Sequence, residues 1–124
     1  MVRQSFAALL LLPLLAVPAF AQQPAPRPLE GRYALHREAC AGNAILIQRD
    51  LFEVGNAVSC KKPVYRRQRV GPGDRALWNV SSRECQLHSG GVHALDFSIE
   101  ARGSSVRVVW SDSEMSDFYS RCGK

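Results

Sequence analysis

Short runs in which apolar and polar residues alternate, and the near absence of any helical period, constrain this chain most. In residues 93–101, Leu95, Phe97, Ile99 and Ala101 alternate with Ala94, Asp96, Ser98 and Glu100, so one face is apolar and the other wet. Arg102-Gly103-Ser104 supplies a turn, after which Val106, Val108 and Trp110 resume the alternation, and the two runs read as a hairpin. A second hairpin is expected from residues 44–49, with Ile45 and Ile47 on one face, a turn at Asp50, and a return through Phe52 and Val54. Residues 31–37, 57–61, 63–70, 76–80 and 83–88 are further strand candidates, and Gly71-Pro72-Gly73-Asp74 and Ser89-Gly90-Gly91 read as turns. Ser111 and Glu114 have the spacing of a capping box, which predicts about one helical turn before Phe118. The expected fold is all-β, a small antiparallel β-barrel or sandwich of seven to nine short strands with a short C-terminal helical turn. A barrel is favoured because closure removes the edges that invite aggregation.

Export shapes the rest of the reading. Residues 1–21 carry Arg3, an apolar stretch broken by Pro13 and Pro18, and Ala19-Phe20-Ala21, the pattern of a signal peptide cut after Ala21. The apolar run falls short of the roughly 20 residues a membrane span needs, so no transmembrane anchor is expected and the mature chain is placed in the periplasm or outside the cell. Residues 22–28 (QQPAPRP) read as a Pro-rich flexible tether. A single domain then covers 29–124.

A domain this small buries only a little over 60% of its unfolded surface, so its cysteines carry weight. Cys40, Cys60, Cys85 and Cys122 form an even set in an exported chain, which predicts two disulfides. Their gaps of 20, 25 and 37 residues do not suit zinc, whose thiolate ligands come in close pairs, so no metal and no cofactor is expected. Of the three possible connectivities, Cys60–Cys85 with Cys40–Cys122 is preferred, because a nested arrangement ties the last segment to the first.

No catalytic set is evident, and the chain is not read as an enzyme. His36, His88 and His93 fall in different strand phases, and neither a close histidine pair nor a Gly-rich phosphate loop is present. A small hydrolase or nuclease using these histidines is the least favoured function. Basic charge is the feature that departs from an even spread. Removing residues 1–21 takes away Arg3 and leaves 103 residues with 15 basic and 11 acidic side chains, a charge of +4. Lys61, Lys62, Arg66, Arg67, Arg69 and Arg75 lie in residues 61–75 beside one acid, Asp74, so this segment carries +5 and the remainder −1. Alternation puts Arg67 and Arg69 on the face of Tyr65, with Val64, Arg66 and Gln68 opposite. Arginine binds two oxygens at once through its planar fork, so the segment is a candidate site for an anionic cell-envelope component or an acidic protein, without specific recognition of nucleic acid. The alternative structural role is an edge strand kept from pairing by its charge.

An exported β domain with Cys122 near its end and Ser89-Gly90-Gly91-Val92 before a hairpin is similar in outline to periplasmic lysozyme inhibitors of the small-barrel type. The similarity is confined to the C-terminal third, and His93 stands where that family offers a tyrosine. It implies an inhibitor acting through a loop or apolar surface. Those inhibitors meet a basic enzyme, which a charge of +4 does not suit, and no site is transferred.

Overall fold

The computed structural model describes residues 23–68 and 75–123. Residues 1–21, expected as a signal peptide, Gln22, Arg69 and the expected turn at 71–74 lie outside them. Nine antiparallel strands run in chain order: β1 Gly31–Ala34, β2 Ile45–Gln48, β3 Leu51–Val54, β4 Val58–Lys61, β5 Val64–Gln68, β6 Arg75–Leu87, β7 Val92–Arg102, β8 Ser105–Trp110 and β9 Tyr119–Arg121. Neighbours follow the order β4-β3-β2-β1-β9-β8-β7-β6, and a further pairing of β4 with β6 closes these eight into a barrel. The fifth strand lies outside the ring, paired to the first half of β6.

The strand periods explain the interior. Ile45, Ile47, Phe52, Val58, Cys60, Val80, Cys85, Phe97, Ile99, Val106 and Val108 are buried at every second position of their strands. Phe52 of β3 meets Phe97 of β7 with ring centroids 4.6 Å apart, and Phe97 meets Trp110 at 5.3 Å. The third and seventh strands are not neighbours, so the first contact crosses the barrel, whose inside is filled by side chains.

Both disulfides join as the nested reading expects, Cys60 to Cys85 and Cys40 to Cys122. Cys60 and Cys85 face each other directly across β4 and β6, so their bridge lies on the seam that closes the ring. Cys122, just past β9, is tied to the short 3-10 helix Arg37–Ala41 that follows β1. Two disulfides indicate an oxidising, exported compartment. No helix among the described residues is long and apolar enough to cross a membrane.

The structure departs from expectation in three places. Residues 76–80 and 83–88 belong to one strand, β6, in which an extra residue is inserted between Ser82 and Cys85. Trp78, Val80 and Ser82 point inward before this β-bulge and Cys85 after it, and the change of phase mimics two strands in the sequence. The expected helical turn at 111–114 is a tight reversal. The Ser113 N–H donates to the Trp110 carbonyl, the Glu114 N–H donates to the Asp112 carboxylate at 3.0 Å, and Ser113 has a φ of 72°. An Asx turn thus takes the donors that a helix start would use, and no apolar period follows to sustain a helix.

Finally, the stretch expected as a free tether is docked from Gln23 onward. Gln23 exchanges two backbone hydrogen bonds with Tyr65, the Ala25 N–H donates to the Arg49 carbonyl, and Ala25 and Leu29 are buried. Arg121 secures this segment by donating to the carbonyls of Pro28 and Glu30, each at 2.7 Å, and to the Tyr33 hydroxyl at 2.8 Å. Gly31 leaves room for it, since a Cβ there would approach the Arg121 guanidinium to 2.6 Å.

Three outcomes follow from this architecture. Replacing Arg121 by Ala lowers unfolding free energy in a denaturant titration by about 1.5–3 kcal/mol, the range for hydrogen bonds to a charged group. The Cys60→Ser/Cys85→Ser double variant loses about 3.5 kcal/mol in the same assay by the loop-entropy relation. Burial raises the hydroxyl pKa of Tyr33 and, further, that of Tyr65, above the ordinary value of 10.0. Folding therefore favours their neutral forms; stability holds below pH 10 and declines as the pH rises beyond it. The Tyr65 hydroxyl also has no hydrogen-bond partner. Tyr65→Phe should accordingly be neutral or stabilising by about 1 kcal/mol and should flatten the alkaline decline.

Candidate functional site

The site grows out of the seam. The fourth and fifth strands pair with β6 in one register, from Val58 opposite Leu87 to Gln68 opposite Leu77. They are separated by Lys62, at φ 47°, and by Pro63, which has no N–H to give. The third strand begins at Leu51, opposite Lys61, so beyond Lys61 the chain runs past the end of the β2–β3 hairpin. There the Lys62 N–H donates to the Asp50 carbonyl, and β5 continues with β6 on one side and, among the described residues, only Gln23 bridging it on the other. Buried phase changes at the same level on both strands. Val58 and Cys60 point inward before Lys62 and Tyr65 after it, matching the switch from Ser82 to Cys85 in β6.

Ser82 holds this junction together. Its hydroxyl donates to the Lys61 carbonyl at 2.6 Å and accepts the Glu84 N–H at 3.2 Å, satisfying backbone groups that the bulge takes out of the ladder. Over the bulge, on the outer surface, opens a cavity of about 480 Å³ walled by Lys61, Lys62, Arg83, Glu84, Ser81 and Asp96. A second cavity of about 470 Å³ adjoins it along β5–β8, with Arg66, Asn79, Ser98 and Trp110 in its wall. Val64, Ser81 and Asp96 line both, so the two form a continuous groove.

Of the six basic residues proposed from the sequence, the five that are described do not converge as one patch. Lys61, Lys62 and Arg66 are exposed in the groove walls. Arg67, on the opposite phase of β5, lies 5.8 Å from the centre of the Trp78 ring. Arg69 lies outside the described residues. Arg75 pairs with Glu100 at 3.1 Å, and the same carboxylate takes Arg107 at 2.6 Å. Glu100 is buried, and the Phe118 ring covers Arg107 at 4.6 Å, so this network fastens the C-terminal segment to β7 and β8.

Arg83 is the groove cation that a linear window over 61–75 misses. The Cys60–Cys85 pairing is the signal that finds it, because joining those residues sets Lys61 opposite Glu84 and Lys62 beside Arg83. Asp96 escapes notice for the same reason, since β7 reaches the groove through β6.

The histidines are dispersed. His36 bonds Glu38 at 3.1 Å on the surface, and together with the Glu38 backbone N–H it holds that carboxyl below its ordinary pKa. His88 borders a shallow uncharged depression with Asn43 and Asn56, and His93 is exposed opposite Cys85. Among the described residues no three His, Cys, Asp or Glu side chains are placed to hold a metal ion. No protein-family model matches the chain, and comparison with curated proteins and with solved structures finds no match.

Loss of the hydroxyl that braces the bulge should be costly. Ser82→Ala leaves part-buried backbone groups of Lys61 and Glu84 unsatisfied and lowers stability by about 1 kcal/mol in denaturant unfolding, whereas Ser81→Ala, on the solvent side, changes it by less than about 0.5 kcal/mol.

Proposed function

We propose that this chain is an exported, non-enzymatic binding module, released to the periplasm or the exterior after removal of residues 1–21, and that its groove takes an anionic envelope component or acidic partner. One observation carries this reading. A β-bulge and a lysine with positive φ bring Lys61, Lys62 and Arg83 around one outer cavity that runs on to Arg66. Bulges and backbone held in a sparsely populated region are recurrent features of binding sites, where they re-aim side chains. All four cations are free of the ion pairs seen among the described residues, in contrast to Arg75. Their charge is thus available to a ligand. The six basic residues expected from the sequence are thereby narrowed to Lys61, Lys62 and Arg66, and Arg83 joins them.

A second reading, an interaction protein working through a loop, draws on the β6–β7 turn. Gly90 and Gly91 there adopt positive φ and Val92 is 61% exposed.

Calorimetric titration with polyphosphate, polyglutamate and lipopolysaccharide tests the first reading. Affinity for at least one should fall steeply as added salt shortens the Debye length from about 30 Å to about 8 Å. The Lys61→Gln/Lys62→Gln/Arg66→Gln/Arg83→Gln variant should bind at least roughly tenfold more weakly, a loss of about 1.4 kcal/mol. Salt-insensitive binding retained by that variant but lost in Val92→Asp would move the function to the loop.

A further inference from the structure

The groove offers more than positive charge, and the order of its groups along the fold narrows what fits. Lys61, Lys62 and Arg83 stand at the bulge end, and Arg66 stands further along β5. Arg66 lies four positions along the chain from Lys62, at most roughly 13 Å at strand rise. Between the two groups, in the wall common to both cavities, is the carboxylate of Asp96. An ionised carboxylate only accepts hydrogen bonds, so it repels a negative group laid against it and welcomes a hydroxyl. A polyanion charged at every unit would set negative charge on Asp96 as well as on the cations.

The neutral part of the groove agrees with this division. Asn79 and Ser98, bonded to each other at 3.0 Å, present further donors and acceptors on the outer face of β6 and β7. Sugar hydroxyls, which both donate and accept, pair with such sets of short polar side chains. An acidic polypeptide such as polyglutamate offers Asp96 backbone N–H donors but carries a carboxylate on every residue, so it too sets negative charge against Asp96.

Resting on the anion-binding reading above, we infer that the ligand is an acidic glycan whose charged sugars alternate with neutral ones, the charges meeting Lys61, Lys62 and Arg83 at one end and Arg66 at the other, with a neutral sugar over Asp96. Asp96 then sets specificity. It accepts hydroxyl hydrogens and turns away continuous polyanions.

Calorimetry with hyaluronate oligosaccharides, which carry a carboxylate on alternate sugars, tests this beside polyphosphate, polyglutamate and uncharged dextran oligosaccharides. Hyaluronate should bind more tightly than the other three. Asp96→Asn should weaken hyaluronate by roughly tenfold, the scale of one charge-assisted hydrogen bond, while strengthening polyphosphate. Ser98→Ala should weaken hyaluronate and leave polyphosphate unchanged. If polyphosphate or polyglutamate binds as tightly as hyaluronate, or if Asp96→Asn moves both anions in the same direction, the glycan assignment is overturned while anion binding stands. Binding of no anionic probe, or binding untouched by the fourfold Lys/Arg→Gln variant, overturns both.

Discussion

Closure of the ring at the β4–β6 seam is the constraint on which the remaining structure depends. Eight strands enclose a core only if the fourth and sixth meet, and the chain between them must leave and return without blocking that contact. The Cys60–Cys85 bridge fixes the pair on which closure turns, with both cysteines fully buried. Phe52 and Phe97 then meet across the interior, and the barrel has no lumen to fill.

The seam also explains the groove. The sixth strand spans 13 residues, whereas β4 spans four, so β6 has a length of edge that β4 cannot cover. The fifth strand supplies the cover by continuing the register of β4 past the hairpin end. Both strands must keep apolar side chains inward while the sheet bends, and each does so by switching phase, one at Lys62 and one at the bulge. Side chains displaced at those two switches, Lys61, Lys62, Arg83 and Glu84, are left to solvent. A closing device of the core has thereby placed charged groups around an outer cavity.

Charge on this molecule divides by partner. Arg75 and Arg107 share buried Glu100, and Arg121 is committed to backbone carbonyls and the Tyr33 hydroxyl. These arginines hold the chain ends to the barrel. Lys61, Lys62, Arg66 and Arg83 have no such engagement among the described residues. Net charge alone does not separate the two groups, because every one of these side chains adds a single positive charge to it.

The amino-acid sequence by itself determined the all-β class, both hairpins and the presence of two disulfides, with the nested pairing only preferred among three, because alternation, turn residues and cysteine count act locally or over few alternatives. The same alternation misled at residues 76–88, where a change of phase signified a bulge inside one strand rather than a break between two. A Pro-rich composition likewise hid the docking of Gln23 and Ala25, since the partners Tyr65 and Arg49 are distant in the chain. Tertiary structure alone decided that β5 lies outside the ring, that Arg75 is neutralised, and that Arg83 and Asp96 complete the groove. The reason is physical: a charge has its effect through its neighbours in space, and those neighbours come from strands brought side by side only when the barrel closes.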